Sequence, residues 1–106
     1  MNDREKILSM IKKLVDKHAP NSDVYLFGSQ ARGDAKALPD WDLLILLQMP
    51  KVSFDFETKF MDKFYELELK TGEIFSPLIY SKHNWNSNYL KTPFYKNIKK
   101  ESIKIK

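Results

Sequence analysis

The chain of 106 residues has no cysteine. That excludes a thiolate metal centre and a disulfide scaffold, and it suits a reducing compartment. Long hydrophobic runs are missing too. The longest, Leu43 to Leu47, is far below the roughly 20 residues a membrane helix needs. The first residues, MNDREKILSMIKKLV, are charged and amphipathic and lack the basic end and apolar block of a secretory signal. No internal repeat, low-complexity tract or linker breaks the chain. The expectation is a cytoplasmic protein without membrane association, forming one domain over residues 1–106.

Acidic residues are outnumbered, 14 against 18 lysines and arginines, for a net charge of +4. An excess of cations favours polyanions. Much of it, however, lies in the tail, where Lys96, Lys99, Lys100, Lys104 and Lys106 face Glu101 alone. A solvated lysine-rich helix face accounts for that pattern more simply than nucleic-acid binding.

Periodicity then orders the chain. Ile7, Leu8, Ile11, Leu14 and Val15 recur at helical spacing over Asp3 to His18. Asp23 to Phe27 reads as a strand broken by Gly28, with Ser29 capping a short helix over Gln30 to Gly33. Trp41 to Gln48 is a strand apolar on both faces, hence central in a sheet covered on both sides. A second long helix spans Phe54 to Lys70, with Phe56, Phe60, Met61, Phe64 and Leu67 as its buried stripe, and Thr71-Gly72 ends it. Glu73 to Ser81 is a third strand, and Pro77 within it requires an edge position or a bulge. Short helices around Trp85 and Phe94-Tyr95 complete an α/β (α+β) arrangement, a small mixed sheet flanked by helices.

The chemistry concentrates between Leu26 and Leu47. A strand running through Gly28-Ser29 into a helix outlines a phosphate cradle: glycine lets a ligand approach the backbone, and the first amides of a helix face an anion. Arg32, one turn further on, can reach phosphate oxygens in bidentate fashion. Asp40 and Asp42 stand at i and i+2 of a strand start, so both project from one face, roughly 7 Å apart. Like charges so close call for a cation between them. Mg²⁺ accepts carboxylate and phosphate oxygens together, and two such ions about 4 Å apart can hold both oxygens of a phosphoryl transfer. An exposed Asp-x-Asp turn is the plain alternative, but it gives no reason to bring charge to the head of so apolar a strand.

Gly28-Ser29, Gly33 and Asp40-Trp41-Asp42, within the string GSQARGDA and its continuation, resemble the nucleotidyltransferase superfamily typified by DNA polymerase beta. The resemblance is to its smallest form, the minimal nucleotidyltransferases, and covers Val24 to Leu47. It implies Mg²⁺-dependent transfer of a nucleoside monophosphate, AMP from ATP, to an acceptor hydroxyl with release of pyrophosphate. It further implies two Mg²⁺ ions on Asp40 and Asp42, and phosphate binding by Gly28, Ser29, Arg32 and Gly33. Minimal members often pair with a HEPN-domain partner as antitoxin and toxin, and some adenylylate a tyrosine of the toxin.

Two positions depart from the family pattern. Pro39 stands where relatives carry serine, which removes an amide donor. The later strand, where the family places a third carboxylate that takes the acceptor's proton, aligns Leu78 at that place. Glu73 is the carboxylate on this strand, but alternation sets it on the opposite face from Ser76 and Leu78; an exposed strand-start glutamate is its simpler reading. Glu66 and Glu68, on the second helix, are poorer candidates. The missing acid keeps a second function open, a weakly active or inactive antitoxin-like module that masks a protein partner. His18 reads as a cation suited to the end of a helix, His83 as a structural residue. Trp85, Tyr89, Phe94 and Tyr95, interleaved with lysines, read as packing or a partner surface.

Overall fold

The computed structural model describes residues 3–32, with the backbone alone at Arg32, and residues 40–106. Helix α1 (Asp3–His18) leads into strand β1 (Asp23–Phe27), short helix α2 (Gly28–Arg32), strand β2 (Trp41–Leu47) and helix α3 (Phe54–Thr71). Strand β3 (Phe75–Ser81), helices α4 (Lys82–Asn88) and α5 (Pro93–Glu101) and strand β4 (Ile103–Lys104) follow.

The strands form one mixed sheet in the order β3-β2-β1-β4. β1 is antiparallel to β2 and to β4, while β2 and β3 are parallel. The apolar run of β2 is therefore central, as its two-sided hydrophobicity required. Leu43, Ile45 and Leu47 meet Val24 and Leu26 of β1 on one face, under Ile7, Ile11 and Val15 of α1 and Phe60, Phe64 and Leu67 of α3. Leu44 and Leu46 face the other way, onto Trp85 of α4 and Tyr95 and Ile98 of α5.

The long helix α3 is capped by a side chain at its start and by a glycine backbone at its end. The Ser53 hydroxyl accepts the Phe56 amide at 3.1 Å. At the other end Gly72, at φ 77°, donates its amide to the Glu68 carbonyl at 2.8 Å. The left-handed backbone there favours glycine because a Cβ would crowd the carbonyl that follows. Phe60, Phe64 and Leu67 make the buried stripe and Phe56 packs at its margin. Met61, expected in that stripe, is 39% exposed, since it is rotated about 100° around the axis from Phe60.

Pro77 sits in an edge strand, and no bulge is needed. The β2–β3 register runs unbroken through Leu43↔Pro77. The Phe75 amide points away from β2 and donates to Glu68 Oε2 at 2.8 Å. Backbone amides alternate along a strand, so the donor that Pro77 lacks would also have faced the open edge.

Four details differ from the periodicity reading. β3 begins at Phe75 rather than Glu73. α2 begins at Gly28, which places Ser29 inside the helix instead of at its cap. β4 has no apolar pattern to announce it; it exists because Ile103 and Lys104 pair with Leu26 and Tyr25 of β1, and the contact continues where Ile105 donates to the Val24 carbonyl at 2.9 Å and Val24 to the Lys106 carbonyl at 3.1 Å. His18 is not favoured as a cation: loss of hydration, then Lys63 and Lys17, hold its pKa below the usual imidazole value, against a smaller opposing pull from Glu66.

Candidate active site

The hairpin register builds the site. Phe27, the last residue of β1, lies opposite Asp42 of β2. The residue after Phe27 is Gly28, whose φ of 73° turns the chain from strand into α2. A Cβ built on Gly28 would collide with Asp42 Oδ2 and stand 3.2 Å from its Cγ. The bend and the second aspartate are thus in direct apposition, and only a residue without a side chain lets them meet.

Asp42 is half-buried and faces the same side of the sheet as Leu44 and Leu46. Asp40, expected on the strand with Asp42, precedes it by one residue and is half-buried. Ser29 and Gln30 follow the bend in α2, and the Arg32 backbone ends the helix. Gly33 and Pro39, which the sequence reading also weighed, lie outside the described residues, as does the Arg32 side chain.

On β3, Ser76 is the register partner of Asp42, and Leu78, 37% exposed, is the partner of Leu44. Ile74, Ser76, Leu78 and Tyr80 therefore present no carboxylate beside Asp42. The structure does not bring Glu73 to the aspartates. It stands in the turn before β3, its amide bonded to Thr71 Oγ1 at 3.2 Å. With Asp3, Lys6 and Lys70 it lines a cavity between α1 and the end of α3. The parity that separates Glu73 from Ser76 thus carries through to the other side of the sheet. Among the described residues no group of three or more histidines and carboxylates stands ready for a metal.

One supporting residue has no motif to mark it. Arg4 of α1 donates from Nη1 to Gln30 Oε1 at 3.2 Å, and its guanidinium lies 5.8 Å from the centroid of the Trp41 ring. It ties α1 to α2 and to the residue between the two aspartates. Gln30 and Trp41 are both buried. Among the described residues, the Trp41 indole N–H finds no hydrogen-bond acceptor. In sequence Arg4 is one more charge on an amphipathic helix, so nothing distinguished it.

The glycine bend is thus seated on an aspartate between antiparallel neighbours of a mixed sheet. Residues 8–105 match the nucleotidyltransferase domain family, and the chain belongs to it. No curated protein matches the sequence. Among solved structures, the fold is similar to a chain in a crystal structure of a toxin-antitoxin with AMP-PNP, at a TM-score of 0.67. The two are 16% identical, over 93% of this chain and 72% of that one. Among the described residues, no helix is long and apolar enough to cross a membrane.

Proposed function

We propose that this chain transfers AMP from ATP to an acceptor hydroxyl, and that the acceptor is a tyrosine of a HEPN-type toxin partner. The observation that carries the reading is the seat of Gly28 on the Asp42 carboxylate. It brings the glycine bend and the Asp42 carboxylate together at one mouth of the sheet, which supports reading them as phosphate cradle and metal ligand. The fold shared with a toxin-antitoxin chain crystallised with AMP-PNP supports the nucleotide and the protein partner.

Asp40 and Asp42 offer hard oxygen donors at the head of β2, and Gly28, having no Cβ, lets the Asp42 carboxylate lie against the backbone of the bend. That set fits Mg²⁺, which is bound through one or two carboxylates and completed by substrate phosphates and water. When bound, the ions would neutralise the triphosphate and polarise the phosphorus under attack. The chain's residues do the rest. The α2 amides and the Ser29 hydroxyl hold the outer phosphates, with Arg32 and Gly33 as further contacts, and the aspartates would hold the metal beside the α-phosphate. A bond forms between the acceptor oxygen and the α-phosphorus, the α–β bond breaks, and pyrophosphate departs. With Leu78 beside Leu44, no acid of Glu73's kind reaches this face from β3, so the acceptor's proton passes to an aspartate or to water.

The test is incubation with each labelled triphosphate, Mg²⁺ and the partner, followed by intact-mass measurement. A mass gain of one nucleoside monophosphate on the partner is expected, with none from Asp42→Asn. Transfer at the wild-type rate by both Asp40→Asn and Asp42→Asn would refute these ligands. The absence of an acid on Ser76, Leu78 or Tyr80 favours a second reading, in which the chain acts as an antitoxin by masking its partner. Inhibition of the partner would then persist in the Asp40→Asn/Asp42→Asn double variant, and its loss with the fold intact would exclude masking.

A further inference from the structure

At the end of the sheet opposite Asp42, three lysines converge on a cavity of about 410 Å³, a volume typical of small-ligand sites. Its buried floor is apolar, made of Leu44, Leu46 and Ile98, with Trp85 beside them. Lys82, Lys99 and Lys104 line it, and Asp23 is the one acid among the described lining residues. Asp23 takes two of the lysines: Lys82 Nζ lies 2.7 Å from its Oδ2 and Lys104 Nζ 3.7 Å from its Oδ1. Lys99 Nζ is held 5.8 Å from the Tyr95 ring centroid.

Three lysines against one aspartate give the described lining residues a net charge of +2. A carboxylate or a phosphodiester would match one unit of it. A phosphate monoester, carrying about −1.5 to −2 at neutral pH, matches both. The floor adds a requirement that inorganic phosphate does not meet, since buried apolar surface gains from contact with an apolar body. We propose that this cavity binds a phosphate monoester with an apolar or ring-shaped body, the body over Leu44 and Ile98 and the phosphate among Lys82, Lys99 and Lys104. The lysine end of the cavity stands apart from the candidate active site, while Leu44 of its floor is two residues from Asp42 on the same sheet face. Asp23 pairs with Leu46, four residues along β1 from the Phe27↔Asp42 pair, or about 13 Å at strand rise. The proposal does not depend on nucleotidyl transfer.

The experiment uses AMP, adenosine and inorganic phosphate as probes. Each is titrated by calorimetry into the full chain and into the Asp40→Asn/Asp42→Asn variant, which removes the candidate metal ligands. One AMP per chain is expected to bind the variant, with adenosine at least tenfold weaker. Amide chemical shifts should move at Asn86 and Ser102. Adding Lys99→Gln and Lys104→Gln should weaken AMP by about a hundredfold, roughly tenfold for each charged hydrogen bond. Both lysines are solvent-facing, and an unchanged amide spectrum elsewhere verifies the fold. The proposal is overturned by absent saturable binding, by AMP affinity indifferent to the lysines, by adenosine binding as well as AMP, or by inorganic phosphate doing so. Shifts confined to Gly28–Arg32 would also overturn it, while leaving the transferase reading intact.

Discussion

Gly28 and Gly72 form a natural controlled experiment. Both have positive φ, 73° and 77°. Alanine at either position must adopt a left-handed backbone, at about 1–2 kcal/mol. At Gly72 that is the whole cost, since a Cβ there meets nothing within 4 Å. At Gly28 the new methyl also collides with the Asp42 carboxylate, and relieving such an overlap in a packed strand adds about 1–3 kcal/mol. Gly28→Ala should therefore cost about 2–5 kcal/mol in all, and Gly72→Ala about 1–2. Urea denaturation of both variants measures the difference, and each kcal/mol should appear as about 4–8 °C in Tm. The functional split is sharper. Gly28→Ala displaces Asp42 and should abolish nucleotidyl transfer even where the protein stays folded; Gly72→Ala should transfer normally at permissive temperature. Equal destabilisation of the two variants, with transfer retained by Gly28→Ala, would refute the argument that the bend and Asp42 form one site.

Other expectations follow from single contacts. Phe64→Ala empties a fully buried position between α3 and the sheet and should cost about 3–5 kcal/mol in the same denaturation assay. Ser53→Ala removes the α3 cap and should cost about 1 kcal/mol. Arg4→Ala breaks the bond to Gln30 and the stacking over Trp41; it should cost about 0.5–1.5 kcal/mol and lower transfer by more than the lost stability explains. His18 has a folded pKa below its unfolded value of 6.5. The unfolded chain therefore takes up the proton first, so the contribution is present above pH 6.5 and is lost as pH falls below it. Denaturation midpoints between pH 7.5 and 5 should show a decline that His18→Gln reduces.

Much of the architecture is written in local pattern. The spacing of Ile7, Ile11 and Val15, and of Phe60, Phe64 and Leu67, specifies two amphipathic helices, which the structure packs on one sheet face. The unbroken apolar run of β2 specifies a central strand, because a strand exposed on one side would alternate. Pro77 restricts its strand to an edge or a bulge, because its nitrogen has no donor for a neighbouring strand, and the structure has the edge. These features reside in a residue and its near neighbours, so they survive without coordinates. β4 could not be seen that way: Ile103 and Lys104 are exposed, and only pairing with β1 makes them a strand.

The candidate site divides along the same line. Residue types and spacing alone nominated Gly28, Ser29, Asp40 and Asp42, because a glycine bend and alternating carboxylates are local chemistry. Only the tertiary structure decided that Gly28 seats on Asp42, since this depends on the Phe27↔Asp42 register of two strands separated by more than a dozen residues. It also decided that Glu73 joins Lys6 and Lys70 behind the sheet and that Arg4 reaches Gln30 and Trp41. Which side chains meet is determined by pairing across the chain, and no local periodicity encodes that distance.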